Sequence, residues 1–229
     1  MARKKIILFI VEGISDQTCL GLALSRLLTS NNIQFEITEG DITTRDDANS
    51  ATIIKLLGAI IKKFLAGVFR PGDIQEVVHL VDTDGAFIPD TAVRQNTASG
   101  IFYAADCIYT NNIASLRARN AKKQQILNKL CSMSTILKNI PYSVYFFSCN
   151  LDHALHNENN LSYEEKMSKA VCFESRYAND LPGFISFLQN PVFAVTGDYS
   201  QSWAFIKIGT NSLKRYSNFH LFPPLINIP

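Results

Sequence analysis

The sequence predicts an α/β protein with a mainly parallel four-stranded sheet between helices and a C-terminal helical extension. Two observations carry this. Apolar runs of strand length, Ile6–Val11 and Ile74–Val81, alternate with segments of helical period. The first is apolar on both faces, the pattern of a central parallel strand covered by helices on either side, and the second, rich in Val and Leu, reads as a buried strand.

Taken in order, Ile6–Val11 is the first strand, followed by Glu12-Gly13-Ile14-Ser15-Asp16 and a helix to about Ser30. Ser15 or Asp16 suits its N-cap, and Leu20, Leu24, Leu27 and Leu28 form its apolar stripe. Ile33–Thr38 is a second strand, residues 39–47 a polar loop, and Ala48–Leu65 a second helix, ended before Arg70-Pro71-Gly72. Residues 74–81 then form the central strand, and the repeated strand-helix order implies right-handed parallel crossovers. Residues 86–110 have no clear period and read as an insertion or long loop, Ala114–Leu137 as a helix, and Tyr142–Phe147 as the fourth strand. Glu164–Asn179, Leu181–Gln189 and Ser200–Tyr216 complete the chain as helices, with Val192–Val195 the one candidate strand among them. The expected organisation is a core over residues 1–160 and a helical extension over residues 161–229.

Composition narrows the class. Hydrophobic residues at 47% and charged residues at 18% describe a folded chain with a large core rather than a disordered one. The net charge of +2 is too small for a global field that attracts nucleic acid, so such binding would need a local basic face. Five scattered cysteines without a C-x-x-C pair argue against a disulfide framework or zinc knuckle and for a reducing, cytoplasmic setting. The apolar run after the basic start is short and ends in Glu12, and no run approaches membrane-spanning length.

Chemistry concentrates where strands end. Asp82 and Asp84 leave the central strand one residue apart, so their side chains share a face and need a cation, for which Mg²⁺ or Mn²⁺ with oxygen ligands is the usual solution. Taken alone, Asp-x-Asp followed by Gly85 fits a turn equally well. Glu12 follows the first strand and Asp152 the fourth, and ligands in parallel sheets bind beyond the carboxyl ends of strands. One metal site accounts for all four acids, whereas turns must be invoked for each separately. Asp16 is either a helix cap or an outer ligand. Arg117, Arg119, Lys122 and Lys123 make the 114–137 helix the candidate basic face for nucleic acid, with an ordinary solvated helix surface as the other reading. His153 and His156 follow Asp152 and suit phosphate or metal contact as well as a helix surface. His79, inside a strand, reads as structural, as do Trp203 and the aromatic tail.

Val11-Glu12-Gly13-Ile14-Ser15-Asp16 resembles the Val-Glu-Gly-x-x-Asp opening of Toprim domains, and Val81-Asp82-Thr83-Asp84-Gly85 resembles their Asp-x-Asp motif. Ser148-Cys149-Asn150-Leu151-Asp152 is similar to the later acidic motif of OLD-type and RloB-like stand-alone Toprim proteins, with Asp152 where those more often have Glu. The resemblance covers about residues 5–156. It implies a Toprim-like Rossmannoid core, Glu12 as general acid/base, and Asp82 and Asp84 as metal ligands. It further implies one or two Mg²⁺ or Mn²⁺ ions, with Glu12 and Asp152 toward a second one. Gly13, Asp16, Gly85, Asn150 and His153 would stand in support. The implied activity is phosphoryl transfer on DNA or RNA, foremost a nuclease, in a setting such as phage defence. The chain has no topoisomerase tyrosine domain, no primase zinc domain and no Gly-x-x-x-x-Gly-Lys-Ser/Thr loop, so an ATPase or other defence subunit would be a separate polypeptide. A non-catalytic binding subunit and a hydrolase of a nucleotide or another small phosphate compound are the alternative readings.

Overall fold

A computed structural model describes residues 5–97, 100–137 and 139–226. Residues 98 and 99 of the expected insertion and the last three residues of the expected extension lie outside the described residues.

The chain is mixed α/β with a mostly parallel sheet. β1 (Ile6–Val11), α1 (Ile14–Leu27), β2 (Asn32–Ile37), α2 (Ile53–Leu65) and β3 (Ile74–Asp82) follow in sequence. Then come three short strands, β4 (Val93–Gln95), β5 (Ile101–Tyr103) and β6 (Ile108–Thr110), before α3 (Ile113–Cys131). β7 (Thr135–Ile136) and β8 (Ile140–Ser148) lead to α4 (Leu151–His156), α5 (Tyr163–Tyr177), α6 (Leu181–Leu188), α7 (Tyr199–Ile206), β9 (Tyr216–Ser217) and α8 (Pro223–Ile226). The main sheet has six strands in the order β2-β1-β3-β8-β7, with β9 also on β8. β2, β1, β3 and β8 are parallel. β7 and β9 run antiparallel to β8, one at its start and the other at its end, which adds two short strands to the four expected.

Alternation along β1 divides the core. Ile6, Leu8 and Ile10 pack with α2, α3 and Trp203 on one side of the sheet, whereas Ile7, Phe9 and Val11 pack with α1, α4, α5 and α6 on the other. Phe9 stacks on Phe35 at 5.2 Å and meets Phe222 edge-on at 5.8 Å, so residues far apart in sequence close the second layer.

Several expected boundaries move, each for a local reason. The second helix begins at Ile53 rather than Ala48, because the Asn49 side chain accepts the amides of Ala51 and Thr52, and the Thr52 hydroxyl donates to the Asp47 carbonyl. Such side-chain bonds give the backbone a turn in place of a helix. The helix expected to reach Leu137 stops at Cys131, the Ser132 hydroxyl donates back to the Lys129 carbonyl, and Thr135–Ile136 pairs with β8 instead. The helix expected over Ser200–Tyr216 is limited to Tyr199–Ile206. Gly209 at φ +56° turns the chain and Asn211 donates its side-chain amide to the Phe205 carbonyl. Of Val192–Val195, only Ala194 bridges to Ser217. The pattern-poor region 86–110 is a small mixed sheet, with β6 between β4 and β5, over its own cluster of Ile88, Val93, Cys107, Ile108, Cys149 and Leu213.

This second cluster fixes Gly85. The residue has φ +64°, and an added Cβ would lie 2.5 Å from Leu213 Cδ2 and 2.8 Å from Ile108 Cδ1, both on fully buried residues. Gly85→Ala therefore combines left-handed strain of about 1–2 kcal/mol with overpacking of about 1–3 kcal/mol. Its urea midpoint falls accordingly, while Gly72→Ala, with open space around it, leaves the midpoint almost unchanged.

Candidate active site

The parallel register brings the exits of β1, β3 and β8 to one edge of the sheet. Glu12, Asp82 and Asp152 arrive there from three separate parts of the sequence. The Asp82 backbone N–H donates to Glu12 Oε1 at 3.3 Å, and the Leu151 N–H at the start of α4 donates to Asp82 Oδ1 at 2.9 Å. Glu12, Asp16, Asp82 and Asp152 all line a cavity of about 360 Å³ together with Gly13, Ile14, Ile37, Tyr163 and Lys166. Lys166 bridges Asp152 at 3.0 Å.

Asp16 has a defined task at the start of α1: its Oδ2 accepts the backbone N–H groups of both Glu12 and Gly13 at 3.1 Å. It caps the helix while also facing the cavity. Asn150 caps α4 by accepting the His153 N–H, and its side-chain amide donates to the Asn159 carbonyl. His153 Nδ1 accepts the Cys149 N–H at 3.1 Å, which fixes that nitrogen as unprotonated; burial and the nearby Arg215 push its pKa down to about 4. His79 Nδ1 meets the Tyr142 hydroxyl at 2.9 Å inside the core, and burial lowers its pKa to about 4. His156 packs edge-on against Phe173.

Asp84 has a different environment from Asp82. It sits at φ +48° with its N–H on the Cys149 carbonyl, and both carboxylate oxygens are engaged. Oδ1 accepts the Tyr103 hydroxyl at 3.1 Å, and Oδ2 is 2.6 Å from Lys123 Nζ. Lys123 also lies 2.7 Å from Asp41 Oδ2. Asp41, in the loop after β2, is a further acid of this network and lies outside the sequence motifs. It leaves the same sheet edge as the others, so the rule that selected Glu12, Asp82 and Asp152 applies to it too.

The helix read as a basic face turns out to be tied into the protein. Lys123 is fully buried, on the stripe Leu116, Asn120, Lys123, Leu127 and Leu130. Arg119 donates to the Asp84 carbonyl at 2.7 Å and to the Tyr103 hydroxyl at 3.0 Å. Lys122 donates to the Thr44 and Arg45 carbonyls at 3.0 and 2.9 Å. Arg117, the most exposed of the four at 42%, donates to the Asp90 carbonyl at 2.8 Å. Lys123 is thus excluded from a surface contact with nucleic acid because its ammonium balances two acids inside the fold.

Charge crowding shifts these groups. Burial, then the charges of Asp41 and Asp82, raise the Glu12 carboxyl well above its usual range. Burial, then Asp84 and Asp16, do the same to Asp82. Burial brings Asp16 to about 6 against the pull of its two amide bonds. Burial alone would depress Lys123 and raise Asp41, but their mutual attraction, with Asp84 and Glu12 adding to that on Lys123, outweighs it and keeps both charged.

The donor set is all oxygen, which suits a hard divalent cation held by Glu12, Asp82 and Asp152 around the cavity. Among the described residues no three His, Cys, Asp or Glu side chains stand in position to ligate one as they are, so binding would draw these carboxylates together. No described helix is long and apolar enough to cross a membrane. Compared with protein-family models, with curated proteins and with solved structures, the chain has no match.

The raised carboxyls make the folded chain bind protons that the unfolded chain releases, so their contribution to stability grows as pH falls from neutral toward the ordinary carboxylate range. The buried histidines act in the opposite sense below about pH 6.5, and a difference between variants removes them. In chelator, Asp82→Asn has a higher Tm than wild type at pH 8, and the gap closes as pH falls toward 4. A gap that widens on acidification contradicts the charge crowding.

Proposed function

We propose that the chain is a divalent-cation-dependent phosphoryl-transfer enzyme acting on nucleic acid, a nuclease with a Toprim-like core. The observation that carries this reading is the contact of Glu12 with Asp82 at the carboxyl edge of a parallel sheet, in a cavity that Asp16 and Asp152 also line. The order of Glu12, Asp82 and Asp152 along the chain agrees with the motif resemblance. Bound Mg²⁺ or Mn²⁺ supplies charge stabilisation at the phosphoryl oxygens. Glu12, its carboxyl raised well above its usual range by burial, would hold or take a proton at the attacking water or leaving oxygen. Asp82 and Asp152 supply cation ligands, with Lys166 orienting Asp152.

The walls suit a nucleotide. Ile14, 53% exposed, and Tyr163, 68% exposed, line the same cavity as the acids, and a base can lie on such a surface while its phosphate meets the carboxylate floor. A partner such as a separate ATPase and a role in phage defence accompany this reading through the resemblance alone, and a cytoplasmic setting through the five scattered cysteines. A second reading, hydrolysis of a nucleotide or another small phosphate compound, is favoured by one observation: Arg117, Arg119, Lys122 and Lys123 of α3 are held by intramolecular acceptors rather than set out as a basic track for a polymer.

Labelled single- and double-stranded DNA and RNA, incubated with Mg²⁺ or Mn²⁺, test both. Cleavage requires the divalent ion, and Glu12→Gln or Asp82→Asn lowers it by at least about 10²-fold. Tyr163→Ala weakens substrate binding by about 5- to 150-fold, the equivalent of one stacked base at 1–3 kcal/mol, without changing metal affinity. Polymers left intact while a mononucleotide or small phosphodiester is hydrolysed select the second reading.

A further inference from the structure

We propose that Lys123 is a built-in cation in the place of a second divalent ion, so that the site takes one metal ion and Asp84 is not among its ligands. The inference rests on the metal-dependent reading above and departs from the expectation that Asp82 and Asp84 act together.

The geometry separates the two acids. Asp82 lines the cavity, whereas Asp84, bent by its left-handed backbone, points both oxygens at donors of the protein, Tyr103 and Lys123. Asp41 is equally committed: Oδ1 accepts the Thr43 N–H at 2.8 Å and its hydroxyl at 2.5 Å, and Oδ2 accepts Lys123 at 2.7 Å. Two carboxylates facing one cation between them is the arrangement a divalent ion would require, and here the ammonium occupies it. Lys123 has no route out, since it is fully buried on the inward stripe of α3 and Asn120 and Leu127 flank it on that stripe. An incoming ion would have to displace a buried ammonium and strand it, whereas the neighbouring cavity lined by Glu12, Asp82 and Asp152 demands no such exchange. A cation close to Glu12 and locked in place also needs no uptake from solution, so it is present whether or not the metal is.

Mn²⁺ titration followed by electron paramagnetic resonance of the free ion, on the full chain, gives the test. Wild type takes up one Mn²⁺ per chain, Asp82→Asn lowers its affinity by at least about tenfold, and Asp84→Asn stays within the scatter of wild type. Lys123→Met leaves Asp41 and Asp84 without their cation, so its Tm is low in chelator and restored by Mn²⁺ with a second ion bound. Two ions in the wild type, or loss of the ion in Asp84→Asn, overturns the proposal, as does a Lys123→Met protein that stays unfolded whatever Mn²⁺ is added. Wild type that takes up no Mn²⁺ overturns the metal-dependent function instead. The Lys123 assignment then stands on Mn²⁺ restoring Lys123→Met, and falls if it does not.

Discussion

A buried ammonium holds the acidic edge of this sheet together. Parallel strands that end in carboxylates collect negative charge at one edge, and in a low-dielectric setting that charge must be balanced or protonated. Lys123 balances two of the acids at once, Asp41 after β2 and Asp84 after β3. Removing one member of such a buried pair costs about 3–5 kcal/mol, because the partner is left uncompensated. The same helix extends the hold. Arg119 fastens the Asp84 carbonyl and Tyr103 of the inserted sheet, and Lys122 fastens the loop after β2. α3 is therefore a staple across three loops, and its position depends on charge as much as on its apolar stripe.

With Asp41 and Asp84 balanced, the remaining acids lie in a cavity with different surroundings. Glu12, Asp16, Asp82 and Asp152 share it with Lys166. Backbone amides stabilise Asp16 and Asp82 in part, the first through the turn opening α1 and the second through the start of α4. Strand geometry alone would place Asp82 and Asp84 on one face, yet the left-handed backbone at Asp84 and Gly85 breaks that alternation where the strand ends. The outer wall comes from α5, whose capping box at Ser162 and Glu165 sets the first turn that carries Tyr163 and Lys166. C-terminal helices are thus part of the cavity rather than only a cover for the sheet.

Much of this was legible in the sequence, for definite reasons. β1 is buried on both faces along its whole length, as is β3 from Val77 to Val81, and their apolar runs state that directly. Acids that follow such runs were read to one edge because parallel topology sends every strand exit the same way. What escaped depended on contacts between distant residues. Lys123 looked like surface charge beside Lys122, although its spacing from Leu116, Leu127 and Leu130 already placed it on the inward stripe. The turn at Asn49 and Thr52 displaced a helix start through side-chain bonds that composition does not reveal. β7 and β9 are two residues each and exist only because β8 offers them an edge. Asp41 was hidden in a polar loop, where an acid is unremarkable until its partner is known.

Electrostatics constrains what can enter the cavity. Its five acidic residues, Glu39 at the rim among them, share the lining with one lysine among the described residues, and that lysine already bridges Asp152. A phosphate arriving alone would meet repulsion there, since Lys166, the one cation of the lining among the described residues, is already paired with Asp152. Arg117, Arg119, Lys122 and Lys123 of α3 are already bonded to carbonyls and acids of the fold. Protonation relieves part of the crowding, yet it also removes the bases that would activate a water. On the proposed reading a divalent ion would answer both demands, keeping the carboxylates ionised and offering the positive charge an anion needs. On the proposed reading the order of events would follow from charge: the cation would enter first, and an anionic substrate would then bind, with its apolar part against Ile14 and Tyr163.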